Sequence, residues 1–346
     1  MRKFNAILIA VLVVQIVLTV LMYHGYGQGN AAATGPWLTL DQSKLGELVI
    51  SDNQGGSVTL KHDKSGWTVP AKSGFPVDKQ RIQGLIGALD GVRPGLPVAV
   101  SKDARKRFQV AKDKFQRHLV FKSDQGAVVA DLYLGESAGS GRLYARLADQ
   151  TAIQDLRIPL WRASTDVSDW LDKGYLELTV SQQKQVVLPN VTLTRTDNLW
   201  QPEGLPADRL ADQDNIQALL DRLRTLRWDS LDGKQAAVQL PAKATFEMTV
   251  TPKDGKPLVY HFYQQPAPAQ SQDKSKDKSK TDKESTKPAW WVTRSDGDFV
   301  FTVSDERVAP LMQADKASLS KAKPANSKDD GKTTGGQAGK AATSGH

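Results

Sequence analysis

A run of apolar residues opens the chain. From Phe4 to Tyr23 there are twenty residues without a charged side chain. About twenty helical residues span the roughly 30 Å hydrocarbon core of a bilayer. The only charges before the run are Arg2 and Lys3, and positive residues favour the cytoplasmic side of a membrane. The pattern predicts a transmembrane helix within residues 1–23, with a cytoplasmic N-terminus and an exported remainder.

The alternative interpretation of this run is a cleaved signal peptide. Such peptides have a shorter apolar region, of about 7–15 residues, followed closely by a cleavage site between small residues. The small residues Ala31–Ala33 lie well downstream of the run. The sequence therefore favours an uncleaved anchor, and residues 24–44 are predicted to form a tether.

The next pattern occurs twice. Val58-Thr59-Leu60 is followed seven residues later by Trp67, and Val191-Thr192-Leu193 is followed seven residues later by Trp200. Both tryptophans are predicted to be core residues. After each comes an aspartate and then an apolar stripe with the i, i+3, i+4, i+7 spacing of an amphipathic helix. The two stripes are offset by 134 residues: Asp78, Ile82, Leu85, Ile86, Leu89 and Val92, and Asp212, Ile216, Leu219, Leu220, Leu223 and Leu226.

Short alternating segments rich in Val, Tyr, Phe and Trp follow each helix, and they predict strands of an antiparallel meander. A closing helix is expected at Ile158–Lys173 and at Ser304–Gln313. The fold class predicted is therefore α+β: an N-terminal transmembrane helix and two tandem repeats, residues 45–173 and 175–312. In each repeat an antiparallel sheet packs against an amphipathic helix.

Two segments lack this patterning. Residues 264–288 contain Asp-Lys-Ser-Lys repeats and interrupt the second meander, and residues 313–346 are mostly Lys, Ala, Gly, Ser and Asp. Such segments bury too little apolar surface to offset the entropy of ordering. The sequence predicts a disordered insertion and a disordered Lys-rich tail.

The charge distribution argues against a nucleic-acid partner. The chain carries a formal net charge of +8, but all except one of these charges fall in residues 2–3, 264–288 and 313–346. A nucleic-acid-binding protein concentrates its basic residues on the folded part. The chain also has no cysteine, which excludes disulfides, thiolate metal sites and cysteine nucleophiles.

Few residues suggest chemistry. Gly135-Glu136-Ser137-Ala138-Gly139 has the G-x-S-x-G spacing of serine hydrolases, but the next residues read as a strand rather than the required helix. His62, His118 and His261 are expected on separate strands without metal-ligand spacing. No phosphate-binding glycine motif is present. The sequence predicts no catalytic, cofactor-binding or metal-binding residue, and hence a non-enzymatic protein.

The repeat resembles a bacterial family of unknown function. The resemblance is carried by residues 58–92 and 191–226, and by Leu132-Tyr133-Leu134-Gly135 followed by Leu143-Tyr144-Ala145-Arg146. Members of that family are often encoded beside Gld-type (gliding-associated) ABC transporter subunits. The resemblance implies a membrane-anchored envelope protein that accompanies a transport complex.

Two functions remain open from the sequence. The first is a non-enzymatic accessory protein in the bacterial inner membrane, with exported units that bind a permease or auxiliary subunit of an ABC-type transporter. The second is a periplasmic glycan-binding module or envelope hydrolase with a site between the repeats. Affinity purification in mild detergent would distinguish them, because only the first predicts a co-purifying membrane protein.

Overall fold

The computed structural model describes residues 35–266 and 288–324, together with Gln15. The predicted membrane helix Phe4–Tyr23, most of the predicted insertion and residues 325–346 lie outside these ranges. Within them, none of the helices has the length and apolar character needed to cross a bilayer. The protein is a mixed α+β structure in which antiparallel sheets predominate.

The chain divides into two compact units after Leu176. The first unit contains ten strands and two helices in the described part of the chain. The strands are β1 Leu45–Ser51, β2 Ser57–Asp63, β3 Gly66–Val69, β4 Phe75–Pro76, β5 Val110–Ala111, β6 Lys114–Phe115, β7 Arg117–Ser123, β8 Val128–Gly139, β9 Arg142–Leu147 and β10 Gln154–Leu156; the helices are α1 Lys79–Leu89 and α2 Lys102–Arg107.

Eight of these strands form one antiparallel sheet in the order β10-β9-β8-β7-β1-β2-β3-β4. Alternate residues of a strand face opposite sides of the sheet, and the register aligns apolar residues across neighbouring strands. Leu48 pairs with Leu60 and Phe121, and Leu119 pairs with Leu132. All five side chains are fully buried. These buried side chains form the hydrophobic core on one face of the sheet.

Helix α1 begins at the predicted position and covers part of that face. Its N-cap is Asp78, whose side chain accepts hydrogen bonds from the backbone N–H groups of Gln80 and Arg81. The apolar stripe of the helix is buried, and Ile82 and Ile86 line one cleft together with residues of β2 and β3. The residues that define the helix in the sequence therefore also attach it to the sheet.

The predicted closing helix at Ile158–Lys173 is wrong. The segment contains two short 3₁₀ turns, Leu160–Ala163 and Val167–Trp170, joined by extended backbone. Polar side chains bond to the local backbone between them: the Asp166 N–H donates to the Ser164 hydroxyl, and the Ser168 N–H donates to Asp166. Such bonds compete with helical ones, and for this reason an apolar pattern of helical spacing does not yield a helix here.

The second unit contains a sheet of similar order. Its strands are β11 Gln183–Val187, β12 Thr192–Thr196, β13 Leu199–Pro202, β14 Arg209–Ala211, β15 Ser230–Lys234, β16 Phe246–Pro252, β17 Leu258–Gln264, β18 Ala289–Arg294, β19 Phe299–Ser304 and β20 Ser320–Ala322; its helices in the described part are α3 Gln213–Arg224 and α4 Asp305–Gln313. The strand order is β13-β12-β11-β16-β17-β18-β19-β15.

Seven strands of each sheet follow the same order. The sequence β3-β2-β1-β7-β8-β9-β10 in the first unit has the counterpart β13-β12-β11-β16-β17-β18-β19 in the second. Each unit places an amphipathic helix after its third or fourth strand, and α3 is capped by Asp212 as α1 is by Asp78. The eighth strands differ, because β4 extends one edge of the first sheet and β15 extends the opposite edge of the second.

Part of the predicted disordered tail is ordered. Strand β20 pairs with β14, Leu319 is buried, and the Asp212 N–H donates to the Leu319 carbonyl. Burial of Leu319 and Ser320, a short backbone ladder and hydrogen bonds from Arg209 hold this segment, and an average over the polar composition of residues 313–346 does not reveal them. The prediction of disorder from residue 313 is therefore wrong for residues 313–324.

The N-cap of α1 gives a test of the first unit. Replacing Asp78→Ala removes an acceptor for two helix N–H groups and should lower the free energy of unfolding by about 1 kcal/mol. Asp78→Asn keeps a capping oxygen and should cost only a few tenths of that. Urea unfolding followed by tryptophan fluorescence would measure both variants, and equal stability of the two would contradict the capping role.

Candidate ligand-binding pocket

A row of polar side chains crosses the sheet of the first unit on the face opposite α1. His118 on β7 pairs with Tyr133 on β8, and Tyr133 pairs with Arg146 on β9. The His118 and Tyr133 rings stack with centroids 4.5 Å apart, and the guanidinium carbon of Arg146 lies 5.0 Å from the Tyr133 ring centre. The alternation that buries Leu119 and Leu132 on one face puts this row on the other.

Residues 96–115, which we call the α2 excursion, run between α1 and β7 and pack on this second face. Ala104, Val110 and Tyr133 form a small hydrophobic cluster with Ile153, and Phe108 packs against it. The Glu136 N–H donates to the Phe108 carbonyl at 3.2 Å. The excursion thus covers part of the second face, and α1 covers part of the first.

Gly135 allows this close approach. A Cβ atom at position 135 would collide with the Phe108 carbonyl oxygen and the Val110 side chain. Backbone atoms cannot move aside as the end of a flexible side chain can. The glycine is therefore needed for the excursion to lie on the sheet.

Arg146 joins the excursion to the sheet. Its side chain is 3% exposed. Its Nε donates to the Val110 carbonyl at 2.8 Å, and Nη1 donates to the carbonyls of Leu147, Ala148 and Gln150 at 2.8–3.0 Å. Burial, and next the positive charge of Arg105, lower the pKa of Arg146. The guanidinium nevertheless stays charged at neutral pH, because arginine is not deprotonated in proteins.

A cavity of about 550 Å³ lies beside this row. Its lining is rich in basic residues, and its acidic residues are already paired: Lys106 Nζ contacts Asp113 at 2.8 Å, and His118 Nε2 contacts Asp131 at 2.7 Å. The basic lining residues are Lys102, Arg105, Lys106, Lys112, His118 and Arg146. The pocket therefore has an excess of positive charge.

Arg105 has no partner for its guanidinium group in the part of the chain that the structure describes. Its Nε is buried without a hydrogen-bond acceptor. Among the ion pairs of the described residues, none involves Lys102, Arg105 or Lys112. The pocket thus offers hydrogen-bond donors and positive charge, a combination that suits a negatively charged ligand.

A second cleft of about 450 Å³ lies on the other face, beside α1. His62 stacks on Trp67 with ring centroids 4.9 Å apart, and His62 Nδ1 lies 2.8 Å from the Leu45 carbonyl. Ile82 and Ile86 complete an apolar wall. Trp67, predicted as a core residue, is only half-buried, whereas Trp200 is buried as expected.

The structure separates the other residues that the sequence singled out. Ser137 lies near the end of β8, which a tight turn at Ser140 and Gly141 connects to β9, so the G-x-S-x-G segment belongs to a hairpin. His62 and His118 occupy opposite faces of one sheet. His261, in the second unit, lies 3.1 Å from Glu247. Within residues 35–266 and 288–324, no three His, Asp or Glu side chains are grouped as potential metal ligands.

The second unit carries a different row at the corresponding place. Glu247 on β16 pairs with His261 on β17, and His261 pairs with Thr293 on β18. The connection from α3 to β16 supplies β15, which pairs with β19 at the sheet edge. Arg146 and the basic pocket therefore have no counterpart in this register.

These features define an α+β protein with a pocket rich in basic residues on its first sheet. Residues 67–256 match the family named domain of unknown function DUF4340, and because the match spans more than half of the chain, the protein belongs to that family. No curated protein and no solved structure matches the chain. The matched range includes the whole α2 excursion and every lining residue of the pocket.

Loss of the Arg146 contacts gives a second test. Replacing Arg146→Lys keeps the charge but cannot supply donors to four carbonyls, so we expect the free energy of unfolding to fall by about 2–3 kcal/mol. Arg142→Lys is the matched control, because the Arg142–Asp155 pair at 2.6 Å is partly exposed and such pairs contribute about 1 kcal/mol or less. Urea unfolding would compare them, and equal losses would contradict a structural role for Arg146.

Proposed function

We propose that this protein is a membrane-anchored, non-enzymatic accessory protein whose exported units bind a membrane partner of an ABC-type transport complex. The proposal combines three supports: the uncharged run Phe4–Tyr23 behind Arg2 and Lys3, two sheets with the same order of seven strands, and an exposed apolar edge on the first unit. A nucleic-acid partner has no place in it.

The observation that carries the proposal is the apolar edge, which comprises Leu96, Val98 and Val100. These alternate residues are 65%, 45% and 42% exposed. The segment between them is fixed to the sheet, because the Val98 N–H donates to the Ile153 carbonyl and the Ile153 N–H donates to the Ala99 carbonyl. Grouped apolar side chains held on a rigid backbone in contact with water are typical of a protein-binding surface.

The anchor strengthens such an interaction. A single transmembrane helix restricts the exported units to the membrane plane, which raises their effective concentration near a membrane-embedded partner. A modest surface then suffices for association. In this proposal the N-terminus is cytoplasmic, the protein lies in the bacterial inner membrane, and both units are periplasmic.

The anchor has a direct test. We expect the full-length protein to remain in the membrane pellet after an alkaline carbonate wash and to be released by detergent, because about twenty apolar residues span the bilayer. Release by carbonate, or a mature N-terminus near Thr34, would show that the segment is a cleaved signal peptide.

The apolar edge has a separate test. Replacing Leu96→Lys together with Val98→Lys should reduce crosslinking to the membrane partner in intact cells by about fivefold or more, because burying two unpaired charges in an interface costs free energy. The control is Leu199→Lys, in the second unit, where a leucine of similar exposure stands outside the edge. Crosslinked partners would be identified by mass spectrometry after purification in mild detergent.

Two results would contradict the accessory function. Equal crosslinking by the double variant and by Leu199→Lys would show that the apolar edge does not bind the partner. Recovery of no membrane partner at all, together with glycan binding or turnover of an ester or peptide by the purified protein, would favour the envelope enzyme or glycan-binding module instead.

A further inference from the structure

We propose that the pocket between α2 and the strands β7, β8 and β9 binds the phosphate group of a small phosphate ester. The inference concerns the first unit alone and does not depend on the accessory function. It rests on the charge of the pocket, on the free guanidinium of Arg105, on the size of the cavity and on the contrast with the second sheet.

The charge of the pocket is not balanced by the protein. Asp113 and Asp131 are engaged by Lys106 and His118, while Arg105 and Arg146 line the same cavity together with Lys102 and Lys112. After burial, the charge of Arg105 is the next cause that lowers the pKa of Arg146, and Asp131 and Asp149 act in the opposite direction. Two cations held close together in a partly buried site repel each other, and an anion bound between them relieves that repulsion.

Arg105 has the geometry to hold a phosphate. A guanidinium presents its N–H groups as a planar fork that matches two phosphate oxygens. In Arg146, Nε and Nη1 already donate to backbone carbonyls. The Arg105 Nε, by contrast, is buried with no acceptor among the described residues. Arg105 lines the cavity and its side chain forms no hydrogen bond or ion pair with the described residues, so its terminal N–H groups are available to phosphate oxygens.

The dimensions favour an ester over bare phosphate. A cavity of about 550 Å³ falls within the usual size range of small-molecule sites, and a phosphate group alone would fill only a small part of it. Ala111 and Ala148 also line the cavity, and their small side chains leave space for the remainder of the ligand. Lys102 and Lys112 are exposed and add positive charge that attracts anions.

The second sheet shows that the fold does not require this charge. At the corresponding register it carries Glu247, His261 and Thr293, and Thr293 is buried without introducing a cation. The same seven-strand order is therefore built without an arginine at the place of Arg146. The basic residues of the first unit form a feature of the pocket rather than a general need of the sheet.

The test is isothermal titration calorimetry on the full-length protein in a neutral detergent. The probes are inorganic phosphate, glycerol 3-phosphate and a short-chain phosphatidylglycerol, with sodium chloride at matched ionic strength as the reference. We expect saturable binding of a phosphate probe and none of chloride. Tighter binding of glycerol 3-phosphate would identify a soluble ester as the ligand class, and tighter binding of the lipid would identify a lipid headgroup.

Three variants examine the residues. Arg105→Gln should weaken binding by about tenfold or more, because it removes a charge-assisted pair of hydrogen bonds. Arg105→Lys should fall between Arg105→Gln and the wild type, since it keeps the charge and loses the fork. The control is Lys243→Gln in the second unit. Lys243 is exposed, and its replacement removes one positive charge, as Arg105→Gln does, so the affinity for phosphate should stay unchanged.

If Arg105→Gln does not fold, as circular dichroism would show, Lys112→Gln takes its place, because Lys112 is exposed and its replacement should still weaken binding a few-fold. The proposal is overturned if no phosphate probe binds, if chloride binds as well as phosphate, or if the pocket variants bind as tightly as Lys243→Gln.

Discussion

The two-residue period of a β-strand is the constraint on which the first unit depends. Because alternate side chains face opposite sides, the register that aligns Leu48, Leu119 and Leu132 on one face also aligns His118, Tyr133 and Arg146 on the other. The hydrophobic face needs a cover, and α1 supplies one. The backbone hydrogen bonds between these strands therefore fix the polar row as well as the hydrophobic face.

The connection after the helix decides what becomes of the second face. In the first unit, the α2 excursion packs across it and buries Tyr133 and Arg146. In the second unit, the equivalent connection contributes β15 at the edge of the sheet, and the row contains Glu247 and His261. Seven strands of the two sheets share one order, but the polar row on the second face differs between the units in its charged residues.

The sequence predicted the elements whose residues are close together in the chain. Helices α1 and α3 lie where Asp78 and Asp212 and the stripes after them indicate, because capping and an apolar stripe are local properties. The helix predicted after Ile158 was wrong, because hydrogen bonds from local side chains compete with helical ones. The strand at Ser320–Ala322 was not predicted, because the strand with which it pairs lies far away in the sequence.

The pocket could not be predicted for a related reason. Arg105 and Arg146 lie far apart in the chain and line one cavity only because the α2 excursion packs on Tyr133, which the register of β8 with β9 places opposite Arg146. Two segments that carry the family resemblance do contain Tyr133, Gly135 and Arg146, but sequence alone gives no reason to connect them with Arg105. Net charge was misleading as well, because the net charge of the whole chain does not reveal a local excess of basic residues around one pocket.

The residue at position 135 indicates whether another member of the family can form the same pocket. Any side chain at this position would occupy the space of the Phe108 carbonyl, so a relative with a larger residue here must hold its excursion away from the sheet. The residue aligned with Gly135 would therefore divide relatives into those whose excursion can pack on the first sheet and those whose excursion cannot. A single glycine thus serves as a marker by which the sequences of the family can be sorted.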